Sequence, residues 1–597
     1  MLRRASLSAL RSPATAAPRR AFATRPHPLA TRVTPRGPIP AGKTPPNLKP
    51  KAQKFSPLTL VLLATLTGST TYALGKREGR SGVDEEVGKQ LKWREPTREG
   101  FNTALEELRE YFPEDCVTED RDALESHGWN DWAAHGPTGL PGAIVYPRST
   151  EDVVKIVKTA AANAIPLIPY CAGTSLEGHT SALGYPGSVD ALPEGQSQIP
   201  LDELKPGLAL VVDFSENMNQ IIQINSKDLD AVVQPGVSYD ALNAELKEQG
   251  IPLFFPVDPA PGAQIGGMIG TGASGTNAVR YGTMRDNVLN LTVVLPNGEV
   301  AKTRQRAKKS SVGPDLSRLI IGSEGIFGIV TEATLKLSPL LPSTVAVSSF
   351  SSIQAAADTA RDLVQQGVSI ACVELLDEVM MKAINKANDA NARKWPEKPT
   401  LFFKFSGSKE QIANDVKRTK SIAQSNSGSN FTFAKDDAEA DQIWQSRKIA
   451  LWSALQYKPG ARCWTTDVCV PLSKFPDLIT ETKRDIDDSG IVGPIVSHAG
   501  DGNFHALLLF SDDDELKKVE GLVHRMVERA QEMDGTCTGE HSVGIGKKAY
   551  VERELGTGTL NLLRSLKATI DPQGIMNPGK LIPTSNAPAR DHREGSP

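Results

Sequence analysis

Residues 261–288 read PGAQIGGMIGTGASGTNAVRYGTMRDNV, and seven of them are glycine: Gly262, Gly266, Gly267, Gly270, Gly272, Gly275 and Gly282. Glycine lets a backbone approach a ligand closely and admits positive φ. Two other stretches share this texture. PYCAGTSLEGHT (169–180) follows an apolar run, and its Gly173, Thr174, Ser175 and Gly178 offer backbone N–H groups and hydroxyls that suit a pyrophosphate. GSEGIFGIVTEATLKL (322–337) places Gly322, Gly325 and Gly328 ahead of a strand. None fits the strand-then-helix GxGxxG placement of a dinucleotide fold, and none is a Walker A loop. A single such stretch reads as turn glycines. Three of them, each beside a strand, point to one dianionic cofactor.

Working outward, the surrounding sequence alternates strand and helix. GAIVYP (142–147) reads as a strand. STEDVVKIVKTAAANA (149–164) opens with Ser149 or Thr150 as an N-cap and early acids, as a helix does. IPLIPY, LALVVDF, AVVQPG, DALNAELKEQG and LTVVLPNG continue the pattern to about Leu337, punctuated by Gly and Pro. This bounds a first domain at 137–339, preceded by a charged helical lead-in over 76–136. After PLLPST, strands (TVAVSSF, ACVELL, TLFFKF) alternate with longer helices, which predicts an α+β second domain over 340–585 and a polar tail over 586–597.

The second domain contains HAGDGNFH (498–505), which places two of the nine histidines around a Gly-Asp-Gly turn. Asp-Gly between apolar runs is a strong hairpin signal. With Asp501 and Gly502 as the two turn residues, His498 faces His505. Directly opposed residues lie roughly 5 Å apart at Cβ, close enough to share a metal ion. The hairpin alone leaves a metal pair and two unrelated polar residues both open.

PYCAGTSLEGHT, IGGMIGTGASGTNAVRYGT and IGSEGIFGIVT resemble the FAD-binding domain of the vanillyl-alcohol oxidase type flavoproteins. HAGDGNFH, TGEHSVG (538–544) and IDPQGIMNPGKL (570–581) resemble the C-terminal half of the D-lactate and D-2-hydroxy acid dehydrogenase branch. The resemblance covers about 135–585. It implies an α+β fold, with FAD between two subdomains and a cap domain that carries the metal site.

Residue by residue, the resemblance gives the pyrophosphate to Gly173, Thr174, Ser175 and Gly178. The rest of the cofactor site falls to Pro235, Gly236, Asp258, Gly266, Gly267, Ser274, Tyr281, Glu324 and Ile329, with Asn577 and Lys580 near the flavin. Ala172 stands where relatives often have glycine. Thr174 stands where relatives with covalent flavin often have histidine, so FAD is expected to be dissociable and His179 to be a capping or packing residue.

TGEHSVG supplies the remaining chemistry. The resemblance assigns Glu540, with His498 and His505, to one divalent metal, zinc first and manganese or iron otherwise. Two histidines and a carboxylate leave coordination positions open for substrate. His541, a neutral imidazole, is the expected general base. Arg447, in IWQSRKIALW, matches the family's W-x-x-R motif and suits bidentate recognition of a substrate carboxylate. The implied reaction is oxidation of D-lactate to pyruvate, with electrons passed to cytochrome c. The alternative is D-2-hydroxyglutarate or another D-2-hydroxy acid. TTDVCVP (465–471) lacks the lysine that dicarboxylate-specific relatives tend to place there, which favours lactate.

The bulk numbers agree. A chain of 597 residues exceeds one ordinary core, and a net charge of -3 gives no sign of nucleic-acid binding. Six scattered cysteines without CxxC form neither a disulfide framework nor a zinc ribbon. From Met1 to Arg77 there is no Asp or Glu, and the Arg, Ser and Ala content is that of a mitochondrial transit peptide followed by a Pro-rich linker, 1–54. The uncharged segment 55–75 could cross an apolar core of about 30 Å. That order places the protein on the inner mitochondrial membrane, with its bulk facing the intermembrane space.

Overall fold

The computed structural model describes residues 95–128, 133–134, 139–182, 204–388 and 393–583. The chain divides into two units, Met1–Lys76 and Arg77–Pro597, and every described residue belongs to the second. The transit-peptide and anchor segments therefore lie outside the described residues. Among the described residues, no helix is long and apolar enough to cross a membrane.

Three main sheets carry the fold. The first has the order β1 (Val117–Thr118), β2 (Ala143–Val145), β4 (Leu210–Asp213), β3 (Leu167–Tyr170). Strands β2, β4 and β3 run parallel, and β2 and β4 are buried at every position, as continuous apolar runs demand. The helices Arg98–Tyr111 and Thr150–Asn163, capped by the Thr97 and Ser149 hydroxyls, pack into the same core. The segment expected as a helical lead-in thus also supplies an edge strand, β1, which pairs with β2.

The second sheet is antiparallel, in the order β5 (Ile221–Asn225), β6 (Asp230–Val233), β10 (Ile329–Lys336), β8 (Val288–Val294), β9 (Val300–Lys302). A small pair, β7 (Leu253–Phe254) and β11 (Ser338–Pro339), lies beside it in the chain.

The third sheet runs β15 (Ser429–Phe433), β12 (Ser343–Ser349), β14 (Thr400–Ser406), β13 (Ile370–Leu376), β18 (Ile495–His498), β19 (Asn503–Phe510), β16 (Arg462–Thr465), and β17 (Val468–Cys469) also pairs with β19. One face packs against the helices Ile353–Gln365, Lys409–Ser425, Phe475–Ser489 and Asp513–Glu532. The other packs Val345, Val347, Phe402 and Leu507 against Glu378–Ala387, Asp437–Lys448 and Ala450–Tyr457. On that second face, Glu374 pairs with His498 across β13 and β18.

The hairpin register differs from the sequence expectation. His498 pairs with Asn503, and His505 pairs with Val496, so the turn is Ala499–Gly502 rather than Asp501-Gly502 alone. Tertiary contacts decide this. Val470 N–H donates to Gly502 O (3.1 Å), and Gly502, at φ +77°, packs so closely that a β-carbon there would lie 2.3 Å from Val470 O. Slipping by an even number of residues keeps the face. The two imidazoles remain on one side as a diagonal pair, with ring centroids 5.5 Å apart.

The chain's end also departs from the expected boundary. After the helix Lys548–Ile570, residues 571–581 return to the first sheet, not to the cap. Leu167 N–H donates to Ile575 O (2.7 Å), Asn577 N–H donates to Leu167 O (2.8 Å), and Ile575 and Met576 join the first core.

Candidate active site

The three residues expected to hold a metal, His498, His505 and Glu540, meet at one point. His498 Nε2 and His505 Nε2 each lie 3.0 Å from the same Glu540 Oε1. Each ring is held from behind, His498 Nδ1 by Glu374 Oε1 (3.1 Å) and His505 Nδ1 by the Thr466 carbonyl (2.9 Å). With Nδ1 held by an acceptor, each ring directs its Nε2 at Glu540, the arrangement of a supported metal ligand. The loop bearing Glu540 is pinned by Asp467. Its Oδ2 accepts the N–H of Glu540 and of His541 (2.9 Å each) and the Thr538 hydroxyl (2.8 Å).

Carboxylates dominate the local electrostatics. Burial pulls the His498 pKa down, but the Glu374 and Glu540 carboxylates win and hold it well above the ordinary value. Burial would raise Glu540, yet the two histidines hold it low. Two nitrogens and one oxygen at a buried, anionic locus fit a divalent transition metal such as zinc. Asp467, His505 and His541 also lie close together, but Asp467 is already occupied by the loop it pins.

His541 stacks on His505, with centroids 4.8 Å and planes 18° apart. Its Nδ1 is buried without a hydrogen-bond partner. Burial, helped by His505 and Lys547 and opposed by Asp467, lowers its pKa to about 4. The ring is therefore neutral, with an open nitrogen. Lys547 bridges Glu177 (3.3 Å) and Asp467 (3.5 Å), joining the first glycine loop to the carboxylate that pins the Glu540 loop.

Arg447 lies on Asp437–Lys448, and its Nε and Nη2 donate to Glu374 Oε2 at 2.9 and 2.6 Å. One helical turn earlier, Trp444 stacks under Lys404, which lies 5.4 Å from the ring centroid.

The cofactor cradle is built from the three glycine stretches. Gly173 and Gly178 adopt φ +65° and +71°. Thr174 is exposed, while Ser175, Ser274 and Tyr281 are half-buried. On the helix Ile265–Thr271, a β-carbon at Gly270 would meet nothing within 4 Å, and one at Gly267 only Cys171 at 3.9 Å. That bare strip fits close approach of FAD to the backbone.

Gly266 is different, because a β-carbon there would strike Pro235 Cβ and Cys171 Sγ, at 2.7 and 2.8 Å. Pro235 O accepts Gly266 N–H at 2.8 Å, and Gly236 lies against Phe214 O. These residues shape the wall.

Other residues expected at the cofactor are engaged with the protein itself. Asp258 accepts the Thr276 hydroxyl (2.6 Å) and Asn277 N–H (3.1 Å), and burial raises its pKa to about 6. Glu324, at φ +54°, accepts Ser542 Oγ–H (2.6 Å), Val543 N–H (2.8 Å) and Gly544 N–H (3.0 Å). Asn577 donates to Glu324 O (2.6 Å), and Lys580 to Ser181 O (2.8 Å), with burial pushing Lys580 down to about 7. The Ile329 side chain lies in the core of the first sheet. His179, buried between Ser175 and Glu324, packs as expected.

Glu374, Asp467, Glu177 and Lys547 were not singled out from sequence. Glu374 carried a signal, a carboxylate inside the apolar strand ACVELL, since buried charges occur where they are paired. The others lie on loops whose proximity no spacing encodes.

Residues 342–581 match the family described as FAD linked oxidases, C-terminal domain, and residues 193–304 match the FAD binding domain. The chain is 45% identical over 480 residues to D-lactate dehydrogenase (cytochrome) 1, mitochondrial, of Saccharomyces cerevisiae, covering 79% of this chain and 78% of that protein. It is 44% identical over 473 residues to the mitochondrial D-lactate dehydrogenase (cytochrome) of Arabidopsis thaliana, again with 79% and 78% coverage. A solved 4-ethylphenol oxidase from Gulosibacter chungangensis shares the fold, with TM-score 0.64 at 19% identity, covering 82% of this chain and 98% of that one. The chain belongs to the FAD-linked oxidases, in the branch that holds these D-lactate dehydrogenases.

Proposed function

We propose that this protein oxidises D-lactate to pyruvate, using FAD and a divalent metal, and passes the electrons to cytochrome c. The observation that carries the reading is the convergence of His498 Nε2 and His505 Nε2 on Glu540 Oε1, beside the partnerless Nδ1 of His541. When bound, FAD supplies the two-electron acceptor, and the metal, held by His498, His505 and Glu540, supplies Lewis-acid polarisation of the 2-hydroxyl. His541, neutral at physiological pH, takes the hydroxyl proton on its open nitrogen. Arg447 keeps Nη1 unpaired among the described residues and offers it to the substrate carboxylate. Glu324 holds the third glycine stretch against the loop of Glu540 and His541, and Asn577 ties that stretch to the His179 carbonyl.

The relatives are mitochondrial by name. Residues 1–54 serve as a transit peptide and 55–75 as an inner-membrane anchor, leaving the catalytic unit in the intermembrane space. A variant lacking 55–75 should become carbonate-extractable, and unchanged membrane retention would overturn the anchor.

The function is tested by anaerobic bleaching of the flavin near roughly 450 nm, where oxidised flavins absorb. Fast bleaching by D-lactate, lost on chelation and restored by zinc or manganese, is the expected result. Bleaching mainly by D-2-hydroxyglutarate would move the substrate assignment. No bleaching of a yellow, metal-loaded protein would overturn the reaction.

A further inference from the structure

Glu374 is 1% exposed and divides its two oxygens between two functional groups. Oε1 faces His498 Nδ1 at 3.1 Å, and Oε2 takes both Nε and Nη2 of Arg447, at 2.9 and 2.6 Å. It sits on β13 directly opposite His498 on β18, so the sheet register fixes the first contact. The second comes from the helix Asp437–Lys448, which packs over the same sheet face.

A carboxylate this buried needs partners, and here the partners are a metal-ligand imidazole and a guanidinium. Arg447 is thereby gripped by one edge, its charge is largely balanced, and Nη1 has no hydrogen-bond partner among the described residues. The same carboxylate orients the His498 ring by binding Nδ1, which turns Nε2 toward Glu540 Oε1.

We propose that Glu374 is a positioning residue that couples metal binding to recognition of the substrate carboxylate. A single side chain orients both the ligand His498 and the arginine Arg447, so disturbing either contact is felt at the other. This rests on the metal and substrate reading above, and it goes further by making the two subsites interdependent. A merely structural ion pair would keep the fold and leave zinc affinity untouched.

The test uses flavin-loaded protein and zinc alone as the metal probe, in competition with a chromogenic chelator. Glu374→Gln keeps the shape and removes the charge. It should weaken zinc binding by roughly 10–100-fold, the range for lost support behind a metal ligand. At saturating zinc it should also raise KM for D-lactate at least about tenfold, with a smaller fall in kcat, because a loosened Arg447 costs ground-state binding first. Arg447→Met, which touches no metal ligand, should shift zinc affinity more than about threefold by freeing Glu374.

Zinc affinity within about twofold of wild type in either variant would overturn the coupling. If Glu374→Gln fails to retain yellow flavin, the Arg447→Met measurement alone decides. Wild-type protein that takes up no zinc would overturn the proposal together with its metal site. Wild-type protein that binds zinc but is not bleached by D-lactate would overturn only the assigned reaction, leaving the zinc comparison to judge Glu374.

Discussion

Glu324 Oε1 accepts the Val543 backbone N–H at 2.8 Å, across 219 residues of chain. That bond, with those from Ser542 and Gly544, fastens the loop of Glu540 and His541 to the third glycine stretch. Burial would raise the Glu324 pKa, but His179 and these donors hold it below the ordinary carboxylate value. The third glycine stretch and the loop of Glu540 and His541 therefore share one anchoring carboxylate.

Replacing Glu324 with Gln should loosen both halves together. Loss of a charge-assisted acceptor for buried N–H groups costs about 1–3 kcal/mol. Thermal unfolding should begin at lower temperature, with flavin and zinc released together. Normal retention of both would show that the bracket is dispensable.

His541→Asn should separate chemistry from binding. Loss of a positioned general base typically slows the step by about 10²–10⁴-fold. Flavin bleaching at saturating D-lactate should slow within that range, while flavin content and zinc affinity stay near wild type. A variant that bleaches at the normal rate would remove His541 from the reaction.

Asp377 sets a pH dependence of stability. It accepts Met380 N–H (2.8 Å) and Ile495 N–H (3.1 Å), but burial, reinforced by Glu378, raises its pKa to about 7. A carboxylate whose folded pKa lies above its unfolded one binds protons more tightly when folded. Its contribution is therefore fully present below about pH 4 and is lost as pH rises to about 7. Asp377→Asn removes this titration and should gain ~2–4 kcal/mol relative to wild type between pH 4 and pH 8. Denaturation midpoints at the two pH values check it, and parallel pH profiles would refute it.

Gly502→Ala should disturb the hairpin. The residue holds φ +77°, and a β-carbon would sit 2.3 Å from Val470 O. Strain plus a backbone clash predicts a loss of several kcal/mol, on the order of 2–4. Because His498 and His505 flank this turn, zinc affinity should fall with stability. An unfolding midpoint equal to wild type would show that the turn adapts freely.

The sequence reading went far where chemistry is encoded locally. Short apolar runs such as AIV and LVV, bounded by Gly, Pro and Asp, read as buried strands, and the structure has them so. The Ser149 cap and the early acids after it mark a helix start, and the structure has Ser149 accepting Asp152 N–H at 3.1 Å. Gly173 and Gly178 needed positive φ and have it. His498 and His505 share a sheet face because a strand alternates with period two, which survives the change in turn length.

By itself, then, the sequence determined the α+β class, the glycine-rich loops and the two histidines that share a sheet face, because periodicity and turn chemistry act over a few residues, while Glu540 as their third companion came from the family resemblance. Only the tertiary structure decided the hairpin register, through Val470 against Gly502, and the return of 571–581 to the first sheet. It also decided which charges became partners. Glu374 lies 73 residues from Arg447 and 124 from His498, and Asp467 lies 73 from Glu540. Charges that far apart along the chain find one another only when a shared core removes them from water, because unpaired burial is costly and pairing compensates it.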